Sequence, residues 1–207
     1  MIIYHGHPSK PSLRKCYKLA PSYTHGAEFS DKSGRRTYDY PYIIDNGAFS
    51  AWSNGESWDR EAFVEFLEWA EKNERDPDFV VVPDVVGEAE ATYFRSANWV
   101  NRIPFSTYQA VQDGMNIGEA IDFTERTGSD GIFIGGTKEW KRKTSRKWIE
   151  AAHESGLKAH IARPWDLKTA EELGADSVDT TTIVAWGAWH KLRALEEQTT
   201  LPCISTV

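Results

Sequence analysis

The chain has 207 residues, 40% of them hydrophobic and 27% charged, and a net charge of −7. These values read as a soluble globular protein long enough to bury a real core, and the bulk charge argues against nucleic acid except through local patches. No apolar run approaches membrane-spanning length, and the start MIIYHGHPSK lacks the profile of a signal peptide. The only cysteines, Cys16 and Cys203, supply neither a disulfide framework nor a zinc motif, so a reducing, cytoplasmic setting with no membrane partner is expected.

In chain order, MIIYHG (1–6) opens as a short β-branched run. The segment 7–40 has no clear period and reads as a long, partly irregular connection inside a single domain spanning 1–207. YIIDNG (42–47) and FVVVPD (79–84) are strand candidates, separated by DREAFVEFLEWAEK, where Asp59 is the expected N-cap and Ala62, Phe63, Phe66, Leu67 and Ala70 form one stripe. Further strands are expected at 104–112, 131–136, 158–163, 176–183 and 201–207. Helical patterns lie between most of them. GEAIDFTERTG ends on Gly128, TSRKWIEAAHESG on Gly156, and DLKTAEELG starts on Asp166 and stops at Gly174; GAWHKLRALEE carries Ala188, Leu192 and Leu195.

Strands alternating with helices imply βα units on a parallel sheet. Eight strand candidates predict a compact (β/α)8 TIM-like barrel, with an open doubly wound sheet as the structural rival. Neither GxGxxG nor GxxxxGK[ST] occurs.

A parallel barrel builds its site at the C-terminal ends of its strands. Those ends carry Asp45, Asp84, Gln112, the Gly135-Gly136 pair, Arg163 and Asp179. Each acid, taken singly, also suits a turn or a helix cap. Together they fall at equivalent places, where an unpaired charge is costly unless it lines a wet cleft. The glycine pair lets backbone come close to a ligand, or simply makes a tight turn. Phe49, Trp52 and Trp186 are candidates to stack on a flat substrate, although core packing is the plainer role for most tryptophans here. KEWKRKTSRK, 138–147, holds six basic residues and one acid. Lys138, Lys141, Arg142 and Lys143 within it are phosphate-contact candidates, or else a solvated helix face. His5 and His7, in and just after the first strand, are candidates to line the cleft, and no metal is expected from their surroundings in the sequence.

The ordered set DNGAF, VPD, AVQDG, DGIFIGG and GADSVDTTT, spanning roughly 42–189, resembles the motifs of the tRNA-guanine transglycosylase superfamily. The resemblance implies a TIM barrel without cofactor that exchanges guanine for a 7-deazaguanine. It makes Asp179 the nucleophile at C1′, Asp45 the acid/base, and Asp84, Gln112 and Gly136, with Gly135, the groups reading the purine. Phe49 is a stacking candidate for that base, and Arg163 is a candidate to bind a phosphate or pair with Asp179 or Asp84, or else forms a structural salt bridge. The chain lacks the cysteines of the family's zinc site and its full length. It therefore resembles a compact, zinc-free, DNA-modifying branch with viral members, with DNA a better partner than tRNA and free purine or 7-deazaguanine as co-substrate. A protein partner or homodimer would then assist binding, in host cytoplasm if the source is viral. N-glycoside hydrolysis on the same carboxylates and a non-catalytic partner role are the alternatives.

Overall fold

The computed structural model describes residues 1–30, 39–73 and 75–200. Eight parallel strands close into a barrel in sequence order: β1 (Ile2–Gly6), β2 (Thr24–Phe29), β3 (Tyr42–Ile44), β4 (Phe79–Val81), β5 (Thr107–Val111), β6 (Gly131–Ile134), β7 (Lys158–Ile161) and β8 (Ser177–Thr180). The pairing of β8 with β1, Tyr4 opposite Asp179, completes the ring. The helices are α1 (Lys10–Leu19), α2 (Ala48–Asn54), α3 (Arg60–Ala70), α4 (Ala89–Trp99), α5 (Ile117–Thr127), α6 (Lys138–Glu154), α7 (Leu167–Glu172), α8 (Thr182–Ala185) and α9 (Trp189–Thr200). The fold is a compact (β/α)8 TIM barrel, as the alternation of strand and helix patterns predicts. Closure leaves no strand edge open to pairing with another chain.

The second strand is where sequence and structure part. The segment expected to be an irregular connection, 7–40, contains α1 and β2. THGAEF carries a glycine and three polar residues, so it lacks the apolar alternation that marks a strand. Its partners on both sides make it one: it pairs with β1 from Thr24 to Glu28 and with β3 from Ala27 to Phe29. The run 201–207, expected as a strand, lies outside the described residues. The capping expectations hold. Asp59 accepts from the Ala62 N–H at 2.8 Å, Asp166 from the Thr169 N–H at 2.9 Å, and Gly128 closes α5 in the left-handed region.

Packing falls into two layers. Outside the strands, helix faces bury Phe63, Phe66, Leu67, Trp148, Ile149 and Leu192 against the barrel wall. Inside, Tyr4, Ile43, Phe79, Val81, Tyr108 and Ala110 form the plug. Phe79 lies flat on Tyr108 with centroids 3.8 Å apart, Phe133 stacks on His160 at 4.9 Å, and Phe79 meets His160 edge-on at 5.3 Å. Two glycines make room for the rings. A Cβ at Gly26 would stand 2.7 Å from the Tyr4 ring, and one at Gly131 would stand 2.8 Å from the Tyr108 ring. The aromatic layer is the floor on which the site rests.

Candidate active site

Above that floor, at the C-terminal ends of the strands, one pocket is lined by Glu28, Asp45, Asn46, Phe49, Asp84, Gln112, Gly135, Gly136, Arg163 and Asp179, among others. It opens into a cleft of about 770 Å³ whose walls include Trp52, Thr137, Lys138, Lys141, Arg163, Trp165 and Lys191. The strand-end residues singled out in the sequence therefore converge on one place. Phe49, Gln112, Gly136 and Arg163 touch both pocket and cleft.

Asp179 is buried in β8, and its Oδ1 accepts two hydrogen bonds at 3.0 Å, one from His160 Nε2 and one from the backbone N–H of Arg163. His160 Nδ1 lies 2.9 Å from Ser177 Oγ. An ionised Asp179 can only accept, so the imidazole carries its proton on Nε2 and takes the serine hydroxyl on Nδ1. The carboxylate is thereby fixed in orientation from below and from one side.

Asp45 follows β3 and accepts from the Gly47 N–H at 3.3 Å. Burial, with the charge of Asp179 next in size, pushes its carboxyl up to about 6. Glu28, on the strand the sequence hides, is raised well above the ordinary carboxylate range by burial and then by the charges of Asp179 and Asp45. Asp84 is raised by burial, and the hydrogen bond from Asn46 offsets part of that rise. Asn46 is an organiser: its Nδ2 donates to Asp84 Oδ1 and to the Val82 carbonyl, both at 2.9 Å, and its Oδ1 accepts from the Ala48 N–H at the start of α2. Four carboxyls thus share one pocket with the Arg163 guanidinium, which lies 3.8 Å over the centre of the Phe49 ring.

Gln112 lines the pocket, yet its amide is committed to the chain. Nε2 donates to the Val85 carbonyl and Thr92 Oγ1, both at 2.8 Å, and Oε1 accepts from the Gly87 N–H at 2.7 Å. Its evident work is to hold the loop between β4 and α4. The basic run also divides. Lys141 is buried, and its Nζ donates to the carbonyls of Ala162 and Arg163; burial pushes its ammonium down to about 8. Lys143 pairs with Glu139 on the exposed face of α6, and Arg142 sits 6.0 Å from the Trp165 ring. Lys138 stands on the cleft wall. The Arg163 backbone, at φ 41°, occupies a left-handed conformation unusual outside glycine, and the Lys141 ammonium grips the carbonyls on either side of that bend. The N-terminus of α6 is taken by Asp113, which accepts from Thr137 N–H at 2.7 Å and Oγ1 at 2.8 Å. Trp186 is exposed and outside the pocket.

Sequence reading missed Glu28, Asn46, His160 and the inward turn of Lys141. Glu28 and His160 were legible only through period-2 alternation in strands: Gly26 and Glu28 share a face in β2, and His160 lies opposite Phe133 and Ser177 in β7.

No protein-family model matches the chain, and no curated protein matches it by sequence. Solved structures do match its fold. The tryptophan synthase a2b2 complex from Pyrococcus furiosus aligns at TM-score 0.54 and 13% identity over 95% of this chain and 94% of that one. A mutant tryptophan synthase alpha-subunit from the same organism aligns at 0.53 and 13%, over 96% and 95%, and a 3-hexulose-6-phosphate synthase at 0.52 and 10%, over 93% and 97%. These likenesses define a TIM barrel and correct the family resemblance. The similar structures are tryptophan synthase and hexulose-phosphate synthase barrels, not tRNA-guanine transglycosylases. The base exchange, the 7-deazaguanine and DNA or tRNA partners, the viral setting and both stated alternatives lose their support with it. The physical reason is that acids and glycines at successive strand ends are what a barrel mouth needs for many chemistries, so loose motifs in that order carry the fold more than the reaction. Among the described residues, no helix is long and apolar enough to cross a membrane.

Proposed function

We propose that this protein is an acid–base enzyme, of the lyase or isomerase kind, acting at the barrel mouth on a small polar substrate with an anionic group. The observation that carries the reading is Asp45, half-buried in one pocket with Asp179, its carboxyl pushed up to about 6, where it can both take and return a proton near neutral pH. Asp179, fixed by His160 and the Arg163 N–H, supplies a negative charge whose place does not change during proton transfer. Glu28, its carboxyl raised well above the ordinary range by burial and then by the charges of Asp179 and Asp45, is placed to donate to oxygen as negative charge develops there. On the wall, Lys138, Arg163 and Lys191 favour a carboxylate or phosphate on the rest of the molecule. The similar barrels belong, by their names, to synthases, which agrees with an enzyme at the level of fold.

The test is proton exchange. Small hydroxy acids, keto acids and sugar phosphates are incubated with the protein in heavy water, and loss of carbon-bound proton signals is followed by NMR. Exchange in at least one compound is expected, abolished by Asp45→Asn and rising with pH through about 6. A panel in which nothing exchanges and nothing shifts the melting temperature would overturn the assignment.

A further inference from the structure

Behind the barrel wall, away from the mouth, three polar side chains meet in the core: His5 on β1, Cys16 on α1 and His25 on β2. All three are fully buried, and a ligand atom from each lies within 4.8 Å of the others. Nothing in the acid–base reading uses them.

The hydrogen bonds fix their protons. His25 Nε2 lies 3.0 Å from the Ala20 carbonyl, which can only accept, so this nitrogen carries the hydrogen. In the neutral imidazole the other nitrogen, Nδ1, is then bare. His5 Nε2, 3.1 Å away, must then donate to it, and His5 Nδ1 is left bare and buried, without a hydrogen-bond partner among the described residues. Two neutral imidazoles and a thiol are thus held together, and one imidazole already gives its outer N–H to a backbone carbonyl. Metal-binding histidines are oriented in that way.

We propose that His5, Cys16 and His25 form a buried three-coordinate site for a soft metal ion, copper(I). Soft thiolate with imidazole suits copper(I), whereas structural zinc takes four ligands, and among the described residues this cluster offers three. The geometry is close. Bonds of about 2.0–2.3 Å in a trigonal plane separate ligand atoms by ~3.6 Å, so the imidazoles have to part only slightly from 3.1 Å. The protons balance. The Cys16 thiol releases its proton to solvent as the sulfur binds. The proton between the imidazoles moves from His5 Nε2 to His5 Nδ1, the nitrogen now bare, so that Nε2 of His5 and Nδ1 of His25 face the ion. One proton leaves per ion bound.

The experiment uses the full chain carrying Cys203→Ser, which leaves Cys16 as its only cysteine. It is titrated anaerobically with copper(I) buffered by bicinchoninate. One ion per chain, a raised melting temperature, release of one proton, and X-ray absorption showing two nitrogens and one sulfur are expected. Adding Cys16→Ser should weaken retention by more than ~100-fold, because even loss of a supporting hydrogen bond around a metal costs 10–100-fold. Zinc(II) added in parallel should leave the melting temperature unchanged. Absence of copper retention, equal retention after Cys16→Ser, or preferential binding of zinc would each overturn the site. Should the Cys16→Ser chain fail to fold, the absorption spectrum of the Cys203→Ser protein decides: copper without a sulfur neighbour refutes the assignment.

Discussion

Asp45→Asn should make the protein more stable at neutral pH than at acidic pH, relative to the parent. Burial and the charge of Asp179 lift the Asp45 carboxyl from an ordinary 3.8 to about 6. A group raised on folding binds its proton more tightly in the folded chain. Between those two values the folded state therefore holds more protons than the unfolded state, and stability falls as pH rises. Below 3.8 both states are protonated and nothing is lost; above 6 the whole cost is present. At about 1.4 kcal/mol for each pH unit, the interval comes to about 3 kcal/mol. Asparagine is close in shape to the protonated acid and never ionises, so it escapes that cost. Buried His5 and His25, which are lowered on folding, act with the opposite sign in an overlapping window, so the absolute curve of either protein is a sum. The difference between the two proteins removes that common part. Urea unfolding of both at pH 4 and pH 7.5 should show the variant gaining about 2.4 kcal/mol between the two conditions, because at pH 4 part of the cost is already present; the figure is an upper one, since nearby Glu28 can take up part of the relief. A difference in stability that is the same at both pH values would refute the reasoning, and with it the idea that Asp45 and Asp179 are in electrostatic contact.

Other perturbations test the frame. Phe79→Ala removes the ring stacked on Tyr108 and should cost about 3–5 kcal/mol in urea unfolding, since the barrel interior cannot collapse around the gap. Gly131→Ala sets a methyl against the Tyr108 ring and the Lys158 carbonyl and should cost about 1–3 kcal/mol; a neutral result would mean the ring moves aside freely. Gln112→Leu strips the 85–87 loop of two hydrogen bonds and α4 of one to Thr92, and should speed amide exchange at Gly87 at least tenfold, about 1.4 kcal/mol of local opening, while the β5 amides keep their protection.

The barrel was legible because its strands are short β-branched runs and its helices carry their own caps; Asp59 and Asp166 could be read from one residue and its spacing. β2 was not, because THGAEF owes its extended form to neighbours on both sides and not to its own side chains. With β2 went Glu28, and with α1 and β2 went the meeting of Cys16 and His25 with His5. The strand-end acids were found by position, since the fold dictates that position. Their partners were not. The bond from His160 to Asp179 crosses two strands, and the inward reach of Lys141 depends on which way α6 faces the mouth, facts that exist only after closure. The same generality that made the acids visible made the family resemblance misleading.

The aromatic layer under the acids has a consequence for traffic. Phe79, Tyr108, Phe133 and His160 close the barrel below Asp45 and Asp179, so the pocket has a door on one side only. Whatever enters from the mouth stands between the carboxyls and bulk water. A bound molecule would therefore act as its own stopper: a proton taken up by Asp45 while the pocket is occupied would have only that molecule and the neighbouring carboxyls to go to, and the site would reset when the occupant leaves.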